Sequence, residues 1–170
     1  MTDNRPLISE RSPSYQRAQR GAIDPIEEAG AQTVGTLGHL LELERDMIAS
    51  LLAVRSRLGD GGGRGPLDEL LVDHADRLPS LEQQIRELGG VPPEPGERAG
   101  ELPRDATGIG YLTDDREALR ALAENHEELL GRYRQVLSEP NMTENARRLL
   151  EMFAGEMEQQ SARIAGLLAA

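Results

Sequence analysis

Apolar residues recur at three- and four-residue spacing in four separate stretches, and that pattern predicts four amphipathic helices. The first runs from about Thr33 to Leu58, with Val34, Leu37, Leu41, Ile48 and Leu51 on one face, and the segment Gly59-Asp60-Gly61-Gly62-Gly63 ends it. The second starts near Pro66, a residue suited to a first helical turn. Its stripe is Leu67, Leu70, Leu71, Leu78, Leu81, Ile85 and Leu88, closed by Gly89-Gly90 and Pro92-Pro93. Pro79 falls inside that stripe and predicts a kink, or a straight part that begins after it. The third starts near Asp114, with Thr113 as its N-cap, and passes through Leu119, Leu122, Leu129, Tyr133 and Leu137 to a break at Glu139-Pro140-Asn141. The fourth is entered at Asn141 or Thr143 and carries Leu149, Leu150, Phe153, Met157, Ile164, Leu167 and Leu168.

Connection lengths turn four helices into a topology. The first and last connections are short, whereas Gly89 to Thr113 is rich in Pro and Gly, has no apolar period and is too long for a turn. A helix of about 24 residues spans about 36 Å, and a crossover of that length runs the whole bundle, so helices two and three can be parallel. The fold class is all-α: two helical hairpins joined by a long crossover over residues 33–170. Residues 1–32, with Pro6, Pro13 and Pro25 and no helical period, read as a flexible N-terminal arm.

Composition narrows the function. The chain has 170 residues and a formal charge of −11; residues 1–22 carry Arg5, Arg11, Arg17 and Arg20 against Asp3 and Glu10, or +2, so the rest is about −13. An acidic body is a poor platform for phosphate backbones, which excludes nucleic acid as a partner. All 19 basic residues are arginine, and cysteine is absent. Lysine Schiff bases, phosphate-loop lysines, thiolate metal sites and Cys nucleophiles therefore drop out. No apolar run is long enough to span a bilayer and no signal segment is seen, so a cytoplasmic protein without membrane contact is expected. No nucleophile and base arrangement stands out, and Gly108-x-Gly110 lies too far from any strand for a nucleotide site.

What remains is the set of polar residues on the inward stripes: Glu44 on helix one, His74 and Arg77 on helix two, His126 on helix three, and Met157 and Gln160 on helix four. All lie near mid-helix, where bundles build sites from facing side chains. Together with the loop order, Glu44-x-x-x-Ile48-x-x-Leu51, the Leu88-Gly89-Gly90-x-Pro92 exit and Glu156 to Ile164, this set resembles the ferritin-like superfamily, in particular its bacterioferritin and rubrerythrin branches. The resemblance implies a ferritin-like four-helix bundle with one carboxylate from each of helices one and three and Glu-x-x-His pairs from helices two and four. The matching positions here hold His74 and Arg77, Met157 and Gln160, and His126. Only Glu44 keeps the expected type, and an inward Arg77 stands where a cation would sit.

Two classes of function follow. In the first, Glu44, His74, Arg77, His126 and Gln160 form a polar core layer that needs no cofactor, the chain has no catalytic residue, and its role is binding, scaffolding or accessory. In the second, the chain binds iron for oxidation or storage, with ferroxidase-like activity, or holds a single iron or zinc on Glu44, His74 and His126. A rival register aligns Asp73-x-x-Asp76 with Glu156-x-x-Gln159 and adds Glu44 and Glu124 or Glu127 as oxygen donors for a hard cation or iron, but the flanking carboxylates lie off the apolar stripes and read as a solvated face. His39 is expected at the surface or bundle end, and Met157 as core filler.

Two partner surfaces are also legible. Leu40, Leu43, Met47, Leu51, Val54 and Leu58 make a second apolar stripe on helix one, and a two-fold partner would cover it, which predicts a homodimer through helix one. The arm segment around Tyr15, Arg17 and Arg20 combines spaced arginines with an aromatic and suits an acidic protein partner or the protein's own acidic body.

Overall fold

The computed structural model describes residues 25–58, 64–97 and 101–169. Five helices follow one another, α1 (Pro25–Leu58), α2 (Arg64–Glu87), α3 (Ala106–Gly110), α4 (Asp115–Leu137) and α5 (Glu144–Ala169), and no strand occurs among the described residues. The glycine turn at 59–63 and the arm residues 1–24, with Tyr15, Arg17 and Arg20, lie outside the described residues.

Helix α1 begins eight residues earlier than the apolar period indicates. That extension has no stripe of its own, but Pro25 opens it, where a missing N–H costs nothing, and Glu28 sits near the positive end of the helix dipole. Helix α2 starts at Arg64 and is continuous through the exposed Pro79. The N-cap of α4 is Asp114 and not Thr113: its carboxylate accepts from the Arg116 N–H at 2.9 Å. At the entry of α5 the Thr143 carbonyl accepts from the Arg147 N–H at 2.9 Å, while its hydroxyl is buried without a partner. The Arg147 guanidinium closes the α4–α5 turn by donating to the Leu137 carbonyl at 2.5 Å and the Glu139 carbonyl at 2.6 Å. Those are carbonyls that a helix end leaves unsatisfied.

Side-chain contacts fix the helix directions. Glu44, Ser50 and Arg57 of α1 meet Tyr133, Asn125 and Asp115 of α4 in descending order, so these helices are antiparallel. Glu44 and Arg55 meet His74 and Asp68, so α2 is antiparallel to α1 as well. Helices α2 and α4 are therefore parallel, as the crossover length predicts. Asp73 and Arg77 of α2 meet Arg163 and Gln160 of α5, which completes a four-cornered bundle with α1 diagonal to α5.

The second stripe of α1 is buried within the single chain: Leu40, Met47, Leu51 and Val54 are 0% exposed and Leu43 is 2% exposed. The expectation that this stripe is left exposed in a single chain is thus corrected. The crossover covers it instead, since Leu102 and Ile109 are buried in the same core and α3 packs on α1. Polar contacts hold the crossover in place. Arg45 donates to the Pro93 carbonyl at 2.9 Å, Glu42 accepts from the Gly96 N–H at 3.3 Å, and His39 lies 3.1 Å from Glu101. Asn125, fully buried on α4, accepts from the Arg104 N–H at 3.0 Å and donates to the Arg104 carbonyl at 2.5 Å and to Ser50 at 3.0 Å. Ile48, placed on the first stripe by its spacing, is only half-buried.

The exit of α2 depends on two glycines for different reasons. Gly89 has φ +78°, the left-handed conformation that ends many helices. Gly90 has no such φ, but a Cβ there would fall 2.5 and 2.9 Å from the two Val34 methyl carbons and 3.0 Å from Ile85. Gly90→Ala should therefore destabilise the fold by about 1–3 kcal/mol through overpacking against α1. Urea denaturation reads this directly, and Gly90→Ala/Val34→Ala should recover part of the loss.

Candidate functional site

The polar residues predicted from the inward stripes meet in the middle of the bundle. Glu44 is 0% exposed, as is His74, with Arg77 and His126 at 1% and Gln160 at 2%. Both oxygens of Glu44 are occupied. Oε2 lies 2.5 Å from His74 Nδ1, while Oε1 accepts from Tyr133 Oη at 2.6 Å and from Arg77 Nη1 at 3.3 Å. Burial pushes Glu44 toward the neutral acid, but His74, Arg77 and the Tyr133 hydroxyl outweigh it and hold the carboxyl below its ordinary range. Glu44 is thus a carboxylate, and an oxygen that only accepts requires His74 Nδ1 to carry the proton. The 3.2 Å contact between Arg77 Nη1 and His74 Nδ1 then places two donors side by side around one acceptor.

Arg77 links this cluster to α5. Its Nη2 donates to Gln160 Oε1 at 3.1 Å, and Gln160 Nε2 donates on to Asp73 Oδ2 at 3.0 Å. The guanidinium carbon stands 5.6 Å from the centre of the Phe153 ring, near enough for a cation–π contact. Phe153 in turn meets Tyr133 edge-on at 6.4 Å. At the rim, Glu156 on α5 reaches Arg77 Nη2 at 3.5 Å. The layer therefore joins α1, α2, α4 and α5 through one negative and one positive buried charge.

His126 belongs to the same layer but not to the same hydrogen bonds. Its ring stands edge-on to that of His74 at 6.1 Å, and its Nδ1 is 3.4 Å from Ser161 Oγ. Burial, and then the neighbouring His74 and Arg77, push its pKa down to about 4. It is neutral at pH 7. Burial and the adjacent Glu44 charge push Tyr133 well above 10, so its phenol stays protonated and donates. Within this layer His74 Nε2, His126 Nε2 and Arg77 Nε are buried without a hydrogen-bond partner.

Glu44, His74 and His126 are thus near neighbours, but the geometry around Glu44 is that of a saturated ion pair. Among the described residues, no group of three or more His, Asp or Glu side chains is arranged to hold a metal ion. Two irons would need several carboxylates to offset their charge, and the inward set supplies Glu44 together with a guanidinium, so the donor set does not fit a diiron centre. The rival carboxylates do not converge on the core either: Asp76, Glu124, Glu127 and Glu156 are all exposed. Met157 is fully buried among apolar residues.

Three members of the network had no signal of their own in the sequence. Tyr133 reads as a stripe residue, Phe153 as core, and Asp73 as solvated flank; only the packing of four helices shows that they serve Glu44, Arg77 and Gln160. Asn125 is a further case, since it sits between Leu122 and Leu129 and its backbone partners lie in the aperiodic crossover.

No protein-family model matches the chain, and no curated protein sequence matches it. Solved structures do. A bacterioferritin of Desulfovibrio desulfuricans, described by its diiron site in different catalytic states, superposes with a TM-score of 0.71 at 16% identity, covering 87% of this chain and 84% of that one. A conserved hypothetical protein of Mycobacterium tuberculosis superposes with a TM-score of 0.69 at 18% identity, covering 84% of this chain and 94% of that one. At such identities the likeness concerns the fold, and the fold is ferritin-like. Among the described residues no helix is long and apolar enough to cross a membrane.

Proposed function

We propose that this chain is a ferritin-like bundle whose central layer is closed by its own Glu44–Arg77 ion pair in place of a metal centre, and that it works as a binding, scaffolding or accessory protein. The observation that carries this reading is Arg77: a 1%-exposed guanidinium 3.3 Å from the only carboxylate that keeps the expected type. Its fixed positive charge stands in for a cation and leaves Glu44 no free oxygen. In this reading the arm segment with Tyr15, Arg17 and Arg20 contacts an acidic protein partner, and the chain acts in the cytoplasm, in keeping with its lack of cysteine. A homodimer through α1 has lost the exposed stripe that motivated it.

A second reading has one specific observation in its favour. His74 Nε2 and His126 Nε2 are both buried without a partner, and a neutral imidazole nitrogen in that state is a ligand for a single zinc or iron. Aerobic addition of Fe(II), followed by ferric absorbance, separates the two. The proposed reading expects oxidation no faster than in buffer, and rapid oxidation abolished by His74→Ala or His126→Ala would overturn it.

A further inference from the structure

Between α2 and α5 the surface opens into a groove of about 380 Å³ whose floor is Arg77 and Gln160 and whose walls include Asp73, Asp76, Glu156 and Arg163. Arg77 is shared between Glu44 at 3.3 Å inside the core and Glu156 at 3.5 Å at the rim, and Arg163 pairs with Asp73 at 3.2 Å, so the three carboxylates Asp73, Asp76 and Glu156 still outnumber the cations the groove supplies for them. It continues along α2 past Asp68, Glu69 and Val72. Two exposed apolar side chains mark its rims, Val72 on α2 at 58% and Met152 on α5 at 52%. Arg77 Nε, buried without a partner, leaves a spare donor at the floor. An acidic channel with an apolar residue at either side suits an extended segment that carries arginines around a short apolar pair.

The chain contains one such segment. Arg5-Pro6-Leu7-Ile8-Ser9-Glu10-Arg11 sets Leu7 and Ile8 between two arginines. Extended, the seven residues span about 20 Å, close to the roughly 18 Å of helix from Asp68 to Ser80. Tether length decides which part of the arm can arrive. The groove lies at the level of Glu44, about 28 Å up α1 from Pro25, and on the far side of α2, so the path exceeds about 30 Å. Arg20 and Arg17 are five and eight residues from Pro25 and reach about 17 and 28 Å at most, whereas Arg11 and Arg5 reach about 45 Å and more. We propose that residues 5–11 dock in the α2–α5 groove of their own chain, with Arg5 and Arg11 on its carboxylates and Leu7 and Ile8 against Val72 and Met152. The arm is then held across the bundle, and Tyr15, Arg17 and Arg20 are presented on the way.

The absence of cysteine makes the test direct. In the full chain, Ile8→Cys is paired either with Gln159→Cys in the groove or with Gln135→Cys, which lines a different cleft between α1 and α4 beside the start of α1. A tethered arm without a docking site would find the nearer Gln135 position at least as readily. Docking predicts an intramolecular disulfide with Gln159→Cys that forms about tenfold faster than with Gln135→Cys, reflecting a raised effective concentration. Arg5→Glu/Arg11→Glu should erase that preference. Equal or faster trapping at Gln135, a preference that survives charge reversal, or a disulfide formed only between two chains would overturn the proposal.

Discussion

Arg77→Met should be among the most damaging single substitutions in this protein, costing about 3–5 kcal/mol. The replacement fills much the same volume, so the loss is not a cavity effect. It leaves Glu44, 0% exposed, as a buried carboxylate without its cation. Gln160 loses the donor to its Oε1 at the same time. A total stability of about 5–15 kcal/mol makes such a loss visible as a large fall in the urea midpoint. The double variant Glu44→Gln/Arg77→Met buries neither charge and should recover a large part of the deficit. A double variant no better than Arg77→Met alone would show that the two charges are not coupled as the 3.3 Å contact indicates.

The second large effect is loss of stability in acid, and its window is set by two groups. His126 has a folded pKa of about 4 against an ordinary 6.5, so between those values the unfolded chain binds the extra proton. Stability from keeping His126 neutral is fully present above pH 6.5 and falls as the pH drops toward 4, at about 1.4 kcal/mol per pH unit and about 3 kcal/mol in all. Glu44 works at lower pH. Its folded pKa lies below 4.5, so the stability of its carboxylate is present above pH 4.5 and is lost as the pH falls through the folded value. Urea midpoints measured from pH 7.5 to 4 should therefore fall steeply, and His126→Gln, which cannot take up a proton, should flatten the fall between pH 6.5 and 4. An unchanged slope in His126→Gln would mean that another group carries the effect.

The contrast between what the sequence makes legible and what it hides follows from range. The four long helices and the parallel α2 and α4 are written in local periodicity and connection length, as are the inward positions of Glu44, His74, Arg77, His126 and Gln160, whereas the short helix α3 inside the crossover has no period to announce it. Tyr133, Phe153 and Asp73 join the site only through contacts between helices far apart in sequence, and a stripe position does not distinguish a packing tyrosine from one whose hydroxyl serves a carboxylate. The wide apolar arc of α1 is the clearest lesson. Its extent was readable, but its cover was not, because the residues that cover it, Leu102 and Ile109, sit in a Pro/Gly-rich crossover with no period to reveal them. An aperiodic segment can be as firmly packed as a helix when buried side chains such as Asn125 satisfy its backbone.

The central claim is that a protein ion pair occupies the place of a metal centre. Its most direct test is the metal content of untagged protein purified without chelator, measured by elemental analysis alongside protein concentration. The account predicts iron and zinc well below one ion per chain, unchanged in Arg77→Met. One or more tightly held ions per chain, lost together with His74→Ala or His126→Ala, would contradict it.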